Sequence, residues 1–190
     1  ELYKHIESIK NEKLYTWNNE QELKLQENTE KFKAQLLTRL RNNKGINLQS
    51  GGIGLEQLIK EILEAKGYKA RIPAKNEKSG IQDVDIIATR LSEFSDKTEG
   101  IFIQVKHHEG TTGNRGIRQV AEYEINEDDY THIDRVLITT AEFKNTDFAE
   151  LHDVTVLAGA DFVNWIYDNL NLLSDDSLSS LGISSLPTLL

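Results

Sequence analysis

The chain has 190 residues, 38% of them hydrophobic and 28% charged, with a net charge of -9 and neither cysteine nor methionine. This composition fits a globular domain with a substantial core plus an extension. It excludes disulfides and thiolate-held metals. No apolar run approaches a membrane span and no signal peptide opens the chain, so a cytoplasmic protein with no membrane partner is expected. Without a methionine even at position 1, the sequence reads as a domain cut from a longer polypeptide.

The acidic average conceals a gradient. Residues 1–65 carry 10 basic and 10 acidic side chains, residues 66–118 carry 10 and 7, and residues 119–190 carry 2 and 14. The middle third is therefore the only stretch with a basic surplus, the sign that phosphate binding requires.

Residues 1–44 are rich in Glu, Lys, Gln and Asn and hold no glycine or proline. Leu25, Phe32, Leu36 and Leu40 recur at near-helical spacing and predict a narrow apolar stripe on one or two helices. Asn42, Asn43 and Gly45 supply the stop. After the flexible INLQSGGIG, a helix is expected with Ile53, Leu58, Ile59, Ile62 and Leu63 inward and Gly67 at its end. Glu56 borders that stripe at helical spacing from Ile59 and Leu63. The first strand is expected over Tyr68–Pro73, followed by a polar turn at 74–80.

Two runs rich in β-branched residues follow, VDIIAT at 84–89 and IFIQV at 101–105, and read as neighbouring strands. Successive side chains alternate faces, which puts Asp83 with Asp85 and Gln104 with Lys106. If the strands pair, an acid, an amide oxygen and an ammonium converge at one edge of an apolar sheet. Burying these groups costs several kcal/mol unless they pair with one another or with a metal. A carboxylate on a hard divalent cation, a second oxygen ligand, and a lysine beside the reacting phosphate suit phosphodiester hydrolysis. An ion pair between Asp85 and Lys106, without chemistry, accounts for the same residues.

HHEGTTGNRGIRQ then forms a glycine-rich loop opening a helix with Ile117, Val120 and Ala121 inward. Backbone amides there, with Arg115 and Arg118 close by, are suited to a DNA phosphate. The glycine spacing is not that of a dinucleotide-binding loop. His107 and His108 have no partner at a metal-ligand spacing and read as solvated loop residues. His108 is grouped with the two arginines as a candidate DNA contact. RVLITT predicts a buried strand, with Thr139 and Thr140 structural; AEFKNTDFAEL predicts a helix, VTVL a last strand, and ADFVNWIYDNL a helix with Phe162, Val163, Ile166 and Leu170 inward. Strand and helix alternate here, which implies parallel pairing and a covered sheet. The tail from Asn171, with Pro187, docks as a short helix or stays loose.

Five blocks, GLEQLIKEILEAKGYKARI, QDVDIIA, IFIQVKHH, RVLITTAEF and VTVLAGADFVNWI, resemble those of the Mrr-like restriction endonucleases, a branch of the PD-(D/E)xK nucleases, over roughly residues 53–170. The resemblance implies an α/β fold of order αβββαβαβα, a central mixed sheet flanked by helices, behind an N-terminal helical extension. It implies a Mg²⁺-dependent DNA endonuclease, with Mn²⁺ as a substitute, in which Asp85, Gln104 and Lys106 are catalytic. Gln104 and Lys106 match that branch's QxK motif, and Asp85 and Gln104, completed by Glu56, are the implied metal ligands. Where the family has DGGxD this chain has QDVD, so Asp83 is an auxiliary acid of open role. The expected layout is an extension over 1–48, the nuclease domain over 49–172 and a tail over 173–190. DNA is the expected partner, with a homodimer or attachment to recognition or NTPase domains outside this chain. A repair or junction-resolving nuclease, an RNA nuclease and a non-catalytic binding domain are the alternative readings.

Overall fold

The structure, a computed structural model, describes residues 2–42, 48, 53–74, 83–93 and 96–184. The turn at 74–80, most of the glycine-rich segment after residue 42, and Pro187 fall largely or wholly outside that range. Among the described residues no helix is long and apolar enough to cross a membrane.

Eleven regular elements follow in order: helices α1 (Leu2–Asn42) and α2 (Ile53–Ala65), strands β1 (Lys69–Arg71), β2 (Ile86–Leu91) and β3 (Thr98–Lys106), α3 (Arg115–Ala121), β4 (Tyr130–Thr139), α4 (Thr146–Leu151), β5 (Thr155–Ala158), α5 (Ala160–Tyr167) and α6 (Asp175–Ser180). From α2 to α5 this is the αβββαβαβα order expected from sequence. The five strands lie in the order β1-β2-β3-β4-β5. β1, β2 and β3 pair antiparallel, and β3, β4 and β5 pair parallel, so the sheet is mixed. Only residues 92–97 separate β2 from β3, whereas the parallel half needs crossovers, which carry α3 and α4.

Both faces of the sheet are buried. One packs Ile87, Phe102 and Leu137 with Val84 against Ile117 and Val120 of α3. The alternate residues Ile86, Ile103, Val105 and Ile138 are buried as well, as period-two alternation in a doubly covered sheet demands. α2 packs on β1 and β2, and α5 on β5. Leu55, Leu58, Ile59 and Ile62 of α2 are fully buried, like Phe162, Val163 and Ile166 of α5.

The chain divides into two units, residues 1–35 and 36–190. Within the first, Leu25 is 68% exposed, against the expectation of a continuous stripe to Leu40. A single helix has no core of its own, and the apolar spacing reaches burial only at Leu36 and Leu40, which lie in the second unit. Three other expectations shift. The helix read over 141–151 is confined to Thr146–Leu151, because the Ala141 amide is held by the Thr139 hydroxyl and the Glu142 backbone by Gly110 and Thr112. Leu170 is not on α5, which ends at Tyr167, but in a short 3-10 turn, half-buried. The tail forms α6, whose cap residue Ser174 donates its amide to Glu61 Oε1 at 2.6 Å while Ser177 donates its hydroxyl to Oε2. Burial raises the Glu61 carboxyl pKa, but these hydrogen bonds outweigh it and hold the group below its ordinary range.

Candidate active site at the ends of the central strands

The residues that alternation groups together do meet, though not at a lateral edge of the sheet. β3 is its middle strand, and the polar groups sit where β3 ends and β2 begins. Ile86 pairs with Ile103, so the next positions outward, Asp85 and Gln104, face each other on one side of the sheet. The ladder begins only at Ile86, yet Asp85 keeps strand geometry by donating its amide to Ile103 O at 2.8 Å.

Asp85 is 7% exposed and Gln104 1%. Two donors converge on one carboxylate oxygen: Asp85 Oδ2 accepts the Val105 amide at 2.8 Å and the side-chain amide of Gln104. This arrangement turns the other end of the glutamine amide away. Gln104 Oε1 is buried and has no hydrogen-bond partner among the described residues, a state that ordinarily costs about 1–3 kcal/mol.

Asp85 and Gln104 line a pocket of about 430 Å³ with Glu56, Asp83, Val105, Lys106, His107 and His108. Glu56 enters from the first turn of α2, half-buried. Asp83 is tied to α3: its amide donates to Gln119 O at 3.2 Å, and Gln119 Nε2 donates to its carboxylate at 3.4 Å. Lys106, two residues beyond Gln104 on the same face, runs beside α3. Gly116 on α3 allows Leu137 to approach closely, since a Cβ there would stand 2.7 Å from Leu137 Cδ1, while Lys106 Cε at 3.6 Å would be in ordinary contact.

His107 is half-buried, not the solvated histidine that its loop position implied, whereas His108 is exposed as read from sequence. His107 Nε2 donates to Leu40 O at 2.6 Å. His108 bonds Glu109 O through Nδ1 at 2.9 Å and the Thr112 hydroxyl through Nε2 at 2.9 Å. Thr112 Oγ1 lies 3.0 Å from Thr139 Oγ1, which accepts the Ala141 amide at 3.1 Å. Both ends of β3 and β4 are thereby closed over by polar groups that are satisfied, as buried hydroxyls must be. Thr139 and Thr140 are structural, as read from sequence. Arg115 and Arg118 are exposed and do not line the pocket; Arg118 lies over the Phe148 ring at 5.6 Å.

Gln119, Thr112 and the last turn of α1 escaped the sequence reading. Gln119 meets Asp83 across 36 residues and Leu40 meets His107 across 67, and no local pattern signals such a contact.

The donor set can be tested against a divalent cation. Such a cation takes several oxygen ligands, anionic and neutral. The Asp85 carboxylate and the otherwise unsatisfied Gln104 Oε1, with Glu56 on the same pocket wall, fit that demand. Among the described residues no group of three or more His, Asp or Glu side chains is placed to hold a metal.

The chain resembles three solved restriction endonuclease structures. FokI bound to DNA aligns at 14% identity with a TM-score of 0.36, over 62% of this chain and 25% of that one. MspJI in complex with a 27-mer oligonucleotide aligns at 15% and 0.36, over 66% and 30%. A FokI structure without that description aligns at 12% and 0.41, over 76% and 28%. The chain thus spans less than a third of each. Among curated proteins none matches it. The model of a restriction endonuclease family, the Mrr catalytic domain, matches residues 48–166, more than half of the sequence, and the chain belongs to that family.

Proposed function

We propose that this chain is the cleavage domain of a Mg²⁺-dependent DNA endonuclease of the restriction type, with Mn²⁺ as a working substitute. The observation that carries this reading is the buried, unpartnered Gln104 Oε1 beside Asp85 in a pocket that Lys106 also lines. Asp85, Gln104 and Glu56 would hold the cation, which supplies Lewis acidity and charge neutralisation at the scissile phosphate. Lys106 holds the attacking water or steadies negative charge on the reacting phosphate, its ammonium carried on a strand end that cannot swing away. The Val105 amide fixes the Asp85 carboxylate, so that this ligand is oriented before substrate arrives. Asp83, tethered by Gln119, adds negative charge to the same wall.

DNA is the proposed partner, through Arg115 and Arg118 on the exposed start of α3. His108 is a poorer contact, because both of its ring nitrogens are engaged within the protein. Recognition is assigned to domains or a second copy outside this chain, so the chain alone cuts weakly or with little sequence preference. The test is a panel of plasmids and oligonucleotides, methylated and unmethylated, incubated with Mg²⁺, Mn²⁺ or chelator. Cleavage that needs a cation is expected; no cleavage with either metal, or equal cleavage in chelator, would sink the reading. A preference for branched junctions in the same panel would reassign the domain to repair.

A further inference from the structure

The last turn of α1 ends against the strand ends that carry the pocket. Leu36 and Leu40 are buried, and the Leu40 carbonyl, one of the four that every helix leaves without an internal partner, accepts from His107 Nε2 at 2.6 Å. Arg41 follows. Its Nε donates to Thr140 O at 2.7 Å, and its Nη2 pairs with the Glu142 carboxylate.

Both acceptors of Arg41 are wired to the pocket wall. The Thr140 amide donates to Lys106 O at 3.2 Å, and the Thr140 hydroxyl donates to His108 O at 2.9 Å while accepting the His108 amide at 3.1 Å. Glu142 donates its amide to Gly110 O and accepts the Thr112 amide, each at 2.8 Å. Space for the guanidinium comes from Gly159, at φ 51°, where a Cβ would stand 3.1 Å from Arg41 Nη2 and 2.9 Å from Glu142 Oε1. One planar fork therefore spans the Thr140 carbonyl and the Glu142 carboxylate, both on the segment that follows β4 and bonds the loop after β3, a geometry that a lysine cannot reproduce.

We propose that Arg41 is a positioning residue for the pocket, holding the Lys106–Thr112 segment through Thr140 and Glu142, so that the end of α1 is part of the nuclease machinery. The kinetic arm of this proposal rests on the nuclease reading above; the structural arm does not.

The full-length chain and its Arg41→Ala, Arg41→Lys and Glu142→Gln variants are compared by hydrogen exchange and by cleavage kinetics with Mn²⁺. In Arg41→Ala the amides of Thr112, Thr140 and Glu142 should exchange at least about tenfold faster while those of Ile87 and Phe102 at the sheet centre keep their rates. kcat should fall about tenfold with KM within about twofold, because a small misplacement of a catalytic strand end acts on the reacting geometry more than on binding. Arg41→Lys should recover part of both losses. Unchanged exchange at the three amides would overturn the proposal, and so would faster exchange with unchanged kcat. If Arg41→Ala does not fold, Arg41→Lys and Glu142→Gln decide by the same two readouts at smaller amplitude. A wild-type chain that cuts nothing refutes the nuclease reading, and the exchange rates then still decide whether Arg41 holds the wall.

Discussion

β3 runs between two pockets of equal size, each about 430 Å³, and they differ in everything else that matters. At its start the pocket is lined by Arg90, Leu91, Ser92, Glu93 and Glu99. Arg90 and Glu99 form a cross-strand ion pair there at 2.6 Å, partly in solvent, with the guanidinium also over the Tyr68 ring. That ion pair is partly exposed on both sides. At the other end Asp85 and Gln104 are almost wholly buried, and the glutamine oxygen has no partner among the described residues. Volume does not distinguish a site from a crevice. The contrast lies in a buried carboxylate and an unsatisfied amide oxygen at one end against an exposed ion pair at the other.

The largest expected effect lies at the buried end. Lys106→Ala should reduce cation-dependent DNA cleavage by on the order of 10²–10³ in kcat, as for loss of a group that stabilises developing charge. Thermal unfolding should hardly move, since a lysine at a strand end contributes little packing. Wild-type turnover in that variant would remove the contrast between the two ends. Asp85→Asn, followed by calorimetric titration of Mn²⁺, should bind metal more weakly than Gln104→Ala, because it deletes the charged ligand.

Gln104→Glu sharpens the comparison further. In the absence of metal it sets a second carboxylate against Asp85 in a buried place and should destabilise the fold by on the order of 3 kcal/mol. Added Mn²⁺ should then raise its Tm by more than it raises that of the wild type. Equal Tm without metal would mean that the two side chains are not held together as described. Gly116→Ala comes next: the new methyl group meets Leu137 and should cost about 1–3 kcal/mol by overpacking, read as a lower midpoint in urea. The smallest effect belongs to the other pocket. Arg90→Ala should leave cleavage unchanged and shift Tm little, as exposed ion pairs contribute little; a loss of activity there would erase the distinction between the ends.

Much of the buried end was legible in the sequence because it depends on short-range order. A period of two places Asp85 with Asp83 and Gln104 with Lys106, and the β-branched runs around them locate the strands. The antiparallel register that brings Asp85 opposite Gln104 needs only one hairpin-like connection. The rest depends on contacts that no local pattern encodes. Arg41 reaches Thr140 across 99 residues and His107 reaches Leu40 across 67. A basic residue in the last turn of a helix has an ordinary explanation in the helix dipole, so nothing in the sequence sets Arg41 apart. His107 was misjudged for the same reason, as its partner lies on α1.

The hydroxyl chain behind the pocket has a fixed polarity. Glu109 O can only accept, so His108 Nδ1 carries a hydrogen, and in the neutral ring Nε2 must accept from Thr112. Thr112 then takes its own hydrogen bond from Thr139, and Thr139 takes one from the Ala141 amide. Two hydroxyls that would otherwise rotate freely are locked in one sense, running from a backbone amide to an imidazole. The ring that ends the chain thus decides the direction of both hydroxyls.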